Sequence, residues 1–413
     1  MDSIAAVDIG STKTVTVIAD VDGRLVTRVV AVGVAPCRGL KAGTVVDLED
    51  TAQSVVQSVR RAEQMANRKI SDVTISVTGE HISGENSQGI VPIVPPGRTI
   101  TREDVNRVIN HSKQIVLPAD RELIHAIPRV FTVDGQDGVM RPFGMSGERL
   151  EVSTFLVSGQ LTHIENLERC VHRAQIQVES VVHSPIASGL AVLDKSEMDA
   201  GTIVVDLGGG TTGVAGFVGG SIAFTHVLPV GANHVTSDLS KLLRTTPEEA
   251  ERLKVSEATC DSDAVSPDET VPVQRIGEEK PMLCKRKVMA EIIEARVRET
   301  LMMVKSSVDQ SGYAGQIAGG YVFTGGGSTL RGLASLAVRV LGDVPVRVAP
   351  PANLGGLSGM VSGPEHATVV GLVKYSLRMR EEETVAAESP GLGKLWTGIT
   401  GIFGGKGAKT QER

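Results

Sequence analysis

The sequence predicts an α/β protein built from two related domains, and three observations carry that prediction. First, one turn occurs twice: Asp8-Ile9-Gly10-Ser11-Thr12-Lys13-Thr14 and Asp206-Leu207-Gly208-Gly209-Gly210-Thr211-Thr212 both read Asp-x-Gly-x-x-x-Thr. Second, each copy follows a short apolar strand, residues 4–7 and 203–205, and is itself followed by more strand. Third, strands of this kind alternate with stretches of helical apolar spacing over 413 residues, long enough for two or more domains.

Taken in order, residues 4–7 and 15–19 form a hairpin around the first turn, a helix spans 48–67 and a strand 73–77. From His81 to about Gln160 the texture changes. Pro92, Pro95, Pro96 and Gly97 break the chain, Thr101-Arg102-Glu103-Asp104 has the form of a helix capping box, and strands follow around 129–133. This stretch reads as an inserted subdomain. Helix signals return over 161–175 and again from Ser184-Pro185. The second half repeats the opening, with a strand at 203–205, the glycine turn, and a strand pair running through Val218-Gly219-Gly220-Ser221 to His226. Residues 232–311 hold two helical runs around an acidic, proline-containing loop at 260–281. The longer run, 285–307, carries Val288, Ile292, Ile293, Val297, Leu301 and Val304 on one core-facing stripe. A strand and turn at 321–328, a helix at 330–341 and a last helix at 368–380 precede a polar linker and a glycine-rich tail.

Composition narrows the function. The formal net charge is −6 with no basic arm or stripe, which argues against a nucleic-acid partner. Met1-Asp2-Ser3-Ile4 lacks the charge and apolar block of a secretory signal, and no apolar run reaches membrane-spanning length, so a cytoplasmic protein is expected. Cys37, Cys170, Cys260 and Cys284 show neither metal-ligand nor disulfide spacing.

The repeated turn suits phosphate. Glycine permits close backbone approach, so amide N–H groups and hydroxyls can face phosphate oxygens, while an Asp at the strand end can hold Mg²⁺ directly or through water. Two copies in matching contexts suggest two domains that clamp one nucleotide. Gly208, Gly210 and Gly213 also fit a dinucleotide fingerprint, but that motif needs a helix next and residues 214–220 read as strand closed by a Gly-Gly turn. No GxxxxGK[ST] sequence is present. A third cluster, Gly325-Gly326-Gly327, follows the strand at 321–323 and either supports a flat base or simply turns strand into helix.

Two phosphate turns followed by a triple-glycine turn, in this order, resemble the superfamily of actin, the ATP-driven heat-shock chaperones and the sugar kinases. Within it the chain resembles the FtsA family, the bacterial actin homologues of cell division, over nearly its whole length. Gly79-Glu80-His81-Ile82, residues 128–134 (PRVFTVD) and residues 142–147 (PFGMSG) look like that family's distinctive insert, which the chaperones and sugar kinases lack.

The resemblance implies an α/β, actin-like two-domain ATPase fold with an inserted 1C subdomain and a C-terminal amphipathic helix. Subdomain 1A would span 1–80 and 161–200, 1C 81–160, 2A 201–235 and 306–364, and 2B 236–305, followed by a returning helix at 365–380, a linker at 381–390 and a membrane-targeting helix at 391–405. It implies ATP with Mg²⁺ in the cleft, with Asp8 and Asp206 toward the metal, Gly10, Ser11, Thr12, Lys13, Thr14, Gly208, Gly209, Gly210, Thr211 and Thr212 toward the phosphates, and Gly325, Gly326 and Gly327 toward the nucleoside. Glu251 and Lys254 match the spacing of the superfamily's ribose and adenine contacts, or form a solvated helix pair. Asp206 is the candidate for organising an attacking water, or acts only through Mg²⁺; ATPase activity would at most be slow.

Implied partners are the C-terminal peptide of the tubulin-like FtsZ, further copies in an actin-like filament, lipids of the cytoplasmic membrane, and later division proteins through 1C. Arg286 and Arg296 on the long helix would suit an acidic peptide, and would equally suit a solvated face. In the tail, Leu392, Leu395, Trp396, Ile399, Ile402 and Phe403 fall on one side of a helix flanked by Lys394, Lys406 and Lys409, a pattern for the plane of a membrane interface or for packing on the protein's own core. The expected function is an ATP-binding protein that polymerises and tethers FtsZ filaments to the inner face of the membrane at the division site, helping recruit later division proteins. A pilus-assembly actin-like ATPase and a small-molecule kinase of the same superfamily are the alternatives.

Overall fold

The computed structural model describes residues 2–22, 26–352 and 354–388. In the first half, β1 (Asp2–Ile9), β2 (Lys13–Asp22) and β3 (Val26–Pro36) form a meander, a short hairpin of β4 (Leu40–Lys41) and β5 (Thr44–Val45) follows, and α1 (Leu48–Ala66) leads to β6 (Asp72–Val77). Asp47 caps the start of α1 by accepting from Asp50 N–H, and Asn67 ends it in the left-handed region. After the insert come α3 (Leu161–His172), β11 (Gln177–His183), α4 (Ser184–Val192) and α5 (Lys195–Ala200). The sheet order is β11-β6-β1-β2-β3, with β1 antiparallel to β2 and parallel to β6.

The second half has the same plan. β12 (Thr202–Leu207), β13 (Thr212–Val218) and β14 (Ser221–Leu228) form the meander, and β17 (Gly320–Thr324) and β18 (Val346–Val348) add in parallel, giving the order β14-β13-β12-β17-β18. The likeness of the two turns in the sequence is therefore a likeness of two whole sheets. Between them run α6 (Ala232–Leu243), α7 (Pro247–Glu257), the hairpin β15 (Thr270–Val273) and β16 (Met282–Lys285), and α8 (Arg286–Gln310); α9 (Leu333–Leu341) and α10 (Ala367–Glu388) complete the chain's helices among the described residues.

Several expectations are corrected here. Residues 232–311 hold three helices, because Arg244 turns left-handed at φ 55° and Thr246-Pro247 caps and starts a new one. The expected loop at 260–281 contains the first strand of a hairpin. On α8 the buried stripe runs Met289, Ile293, Val297, Leu301, Val304 and Val308, while Val288 is exposed, one residue off that stripe. Helix α9 starts at Leu333, after Gly332 at φ +79°. Helix α10 continues to Glu388 through most of the expected linker, since residues 381–388 are largely Glu and Ala, good helix formers with no Gly or Pro. The tail at 391–405 lies outside the described residues.

The insert is a four-stranded sheet, β7 (Ser83–Pro92), β10 (Arg149–Gln160), β8 (Arg121–Val133) and β9 (Gln136–Val139) in that order, covered by α2 (Arg102–Ser112) over a core of its own that includes Ile93, Ile100, Val108 and Phe131. The capping box forms as read, with Thr101 and Asp104 bonding reciprocally.

Helices α4 and α10 lie between the two sheets, and the main core runs from β1 and β6 through them to Val204, Phe217 and Val322 of the second half. They cross at closest range where a Cβ on Gly371 would fall 1.8 Å from Ala187 O. No described helix is long and apolar enough to cross a membrane.

Candidate functional site

Each repeated turn closes with the same bond at the same position. Gly10 N–H donates to Lys13 O at 3.0 Å, and Gly208 N–H donates to Thr211 O at 2.9 Å. The turns face each other and interlock: a Cβ on Gly209 would lie 2.2 Å from Thr12 Oγ1, and one on Gly210 would lie 2.6 Å from Ser11 Oγ. The first turn of α6 anchors the second copy, Ala232 N–H donating to Gly208 O at 2.9 Å and Asn233 N–H to Gly209 O at 2.8 Å.

Between the halves is a cleft of about 450 Å³ lined by Asp8, Asp206, residues 10–13 and 208–211, and farther along by Glu251, Lys254, residues 325–327 and Arg331. Asp8 and Asp206 stand at the ends of the two central strands. Ser76 Oγ donates to Asp8 Oδ1 at 2.7 Å, and Ser188 Oγ and Thr368 Oγ1 donate to Asp206 Oδ2 at 2.7 and 3.1 Å. Burial pushes Asp8 up to about 6, the charge of Asp206 adds to this, and the Ser76 hydroxyl and Lys13 oppose it. Burial raises Asp206 as well, against the pull of Ser188 and Thr368. Burial lowers the Lys13 ammonium, opposed by Glu365 and Asp8. Two carboxylates share a desolvated floor with one lysine near them, an arrangement that favours a cationic ligand.

Most of the residues singled out in the sequence meet in this cleft, but Thr14 and Thr212 do not. They stand on the opposite face of their strands, where Thr14 Oγ1 accepts from Ser54 Oγ at 2.7 Å and Thr212 Oγ1 donates to Val230 O at 2.7 Å. Glu251 and Lys254 do line the cleft, where Lys254 is buried, donating to Thr236 Oγ1 at 2.9 Å and Ala232 O at 3.2 Å and pairing at 2.7 Å with Glu251, whose side chain reaches solvent. Gly325 is glycine because of the carboxylate. It adopts φ +80°, and a Cβ there would meet Asp206 Oδ1 at 2.3 Å.

Both arginines of the proposed partner surface are already paired. Arg286 donates to Glu269 Oε2 at 2.6 Å, and Arg296 grips Asp238 through two bonds of 2.6 and 3.1 Å and also pairs with Glu299. Arg296 lies in an open groove between α6 and α8 with Leu242, Val288 and Ile292. Sequence reading missed Ser76, Ser188, Thr368, Glu365 and Arg331. They come from β6, α4, α10, the 3₁₀ turn Pro364–His366 and the segment before α9, and nothing in the local sequence marks them.

A repeated α/β half with an interlocked turn in each, a cleft between them and an inserted subdomain define an actin-like protein. Among solved structures the fold resembles the PilM-PilN type IV pilus biogenesis complex (TM-score 0.62, 18% identity, 91% of this chain and 98% of that one) and MreB5 of Spiroplasma citri bound to ADP (TM-score 0.56, 12% identity, 93% and 98%). In sequence, the profile described as cell division protein FtsA matches residues 203–371, and that of the SHS2 domain inserted in FtsA matches 79–158. Cell division protein FtsA of Neisseria meningitidis serogroup B is 36% identical over 91% of this chain and 90% of its own, and that of Bacillus subtilis is 35% identical over 90% and 83%. The FtsA of Escherichia coli K12 is 33% identical over 90% of each. The chain belongs to the FtsA family of cell division proteins.

Proposed function

We propose that this chain binds ATP with Mg²⁺ in the interdomain cleft, polymerises in an actin-like manner, and tethers FtsZ filaments to the inner face of the membrane through its C-terminal tail, helping recruit later division proteins through the insert. The interlocked pair of turns over two facing carboxylates carries this reading. Amides of residues 10–13 and 208–211 with the Ser11, Thr12 and Thr211 hydroxyls face the phosphates, Lys13 adds a cation, and Glu251 and Lys254 stand with residues 325–327 at the nucleoside end. Asp8 and Asp206 offer two carboxylates to the cleft, which suits an ion that takes phosphate and water as its other ligands, as Mg²⁺ does. When bound, ATP with Mg²⁺ supplies the charge that joins the two turns and a phosphoanhydride open to slow hydrolysis. Asp206 is the residue placed to orient water there.

Membrane attachment follows from the tail sequence. A large apolar side chain gains roughly 1.5–3 kcal/mol when fully buried, an interfacial helix buries its stripe only in part, and each interior glycine, here Gly398 and Gly401, costs about 1 kcal/mol against Ala. One tail binds weakly, and a filament presenting many binds by avidity. The FtsZ peptide would dock on the 2B surface that includes Arg286 and Arg296, where an acidic peptide would exchange with their present carboxylate partners.

Vesicle co-sedimentation with ATP, comparing the intact chain with one ending at Pro390, tests the reading, with electron microscopy of the pellet. Filaments on lipid that vanish with truncation are expected. Unassembled protein in the supernatant with both chains would overturn it.

A further inference from the structure

The two carboxylates are held differently. Asp8 is positioned by Ser76 of β6, the neighbouring strand paired in parallel with β1 in the same sheet, whereas Asp206 is positioned from outside its sheet. Its Oδ2 accepts from Ser188 of α4 and from Thr368 of α10, and those hydroxyl oxygens are themselves 3.0 Å apart. The helix crossing fixes this triangle: Ser188 follows Ala187, Thr368 precedes Gly371 by one turn, and the bare Gly371 lets the two backbones meet. Two hydroxyl protons serve the three contacts of this triangle, so the carboxylate and the two hydroxyls form one linked set. On the other side, Gly325 leaves room for Oδ1.

We propose that Ser188 and Thr368 are positioning residues that clamp Oδ2 of Asp206 and thereby present Oδ1 to a Mg²⁺–nucleotide ligand, making the second carboxylate's geometry depend on the α4–α10 crossing. This rests on the nucleotide reading above. Because Thr368 stands at the start of α10, which runs on to Glu388, the same bond links the cleft to the helix that leads into the C-terminal segment.

The test is the Mg²⁺ dependence of binding of a ribose-labelled fluorescent ATP to the full chain. Thr368→Val, which keeps shape and removes the donor, and Ser188→Ala should each raise the Mg²⁺ half-saturation concentration about tenfold, as expected for loss of one hydrogen bond to a charged group. Thr368→Ser should restore it to within about twofold, which a packing effect of the lost methyl would not. In excess chelator the variants and parent should bind the nucleotide alike. Thermal unfolding of each variant confirms that it folds. Parent and variants with superimposable Mg²⁺ dependence would overturn the clamp while leaving the nucleotide reading intact; a parent that binds no nucleotide at any Mg²⁺ concentration would overturn both.

Discussion

Gly325 shows how one residue can be fixed by a distant one. In the sequence it belongs to a turn suited to a flat ring, yet its backbone sits at φ +80° and ψ 165°, a region essentially closed to other residues, and its missing side chain makes room for Asp206. Gly325→Ala should therefore cost about 1–3 kcal/mol in stability, read as a lower urea midpoint, and should weaken binding of fluorescent ATP by displacing the carboxylate. A variant as stable and as tight-binding as the parent would remove Gly325 from the site's design. The glycines at 209 and 210 follow the same logic, since each yields space to a hydroxyl of the opposite turn. Thr14 and Thr212 teach the reverse: they complete the repeated pattern in sequence but face away from the cleft, so what recurs there is the hydroxyl that anchors each strand's far face.

At the level of elements, α2 of the insert hangs on Asp104. This buried carboxylate accepts from Arg98 through bonds of 2.6 and 2.9 Å, from Arg107 at 3.0 Å and from Thr101 N–H at 2.9 Å, and the Arg98 bonds hold it far below the usual carboxylate range. Asp104→Ala should destabilise the insert by about 2 kcal/mol, less than for a fully buried pair because both arginines reach solvent. Hydrogen exchange should speed up across residues 101–112 and stay unchanged in α1. The capping box itself was legible, because its four residues are adjacent and their bonds are local. So were both turns, the hairpins around them and the presence of the insert. What stayed hidden was set by packing across the chain: that Met289 and Val308 rather than Val288 complete the buried stripe of α8, the break between α6 and α7, and the hydroxyls of Ser76, Ser188 and Thr368, which reach the carboxylates from 68, 18 and 162 residues away. A motif scan sees neighbours in sequence; Ser76 meets Asp8 only once β6 pairs with β1, and Ser188 and Thr368 meet Asp206 only once α4 and α10 pack against the second sheet.

The whole molecule should be acid-sensitive, and the reason is where it keeps its histidines. His81, His125, His183 and His366 are all buried, and burial is the leading cause that pushes them down to about 4, 3, 3 and 4. Three of them sit where the insert meets the body: His81 stacks on His163 with ring centroids 4.6 Å apart, and His183 N–H donates to His125 Nε2 at 3.0 Å while its own ring reaches Val77 O and Thr225 Oγ1. Folded, these rings stay neutral well below 6.5, the ordinary histidine value, whereas in the unfolded chain they gain protons as pH falls through it. The unfolded state then binds more protons, so stability is full above that value and is lost as pH falls toward 4. Each such histidine contributes a slope of about 1.4 kcal/mol per pH unit inside the window. Asp8 and Asp206, both raised by burial, work in the opposite direction, so the net slope is shallower than the four histidines alone would give. Urea unfolding followed by circular dichroism across this range should show a steep fall in stability with acid, and His366→Gln should reduce the slope by about one proton, or about 1.4 kcal/mol per pH unit. A parent whose stability is flat from neutral pH to pH about 5 would mean that these rings are solvated in the folded chain, and that the junction between insert and body is open where this structure has it closed.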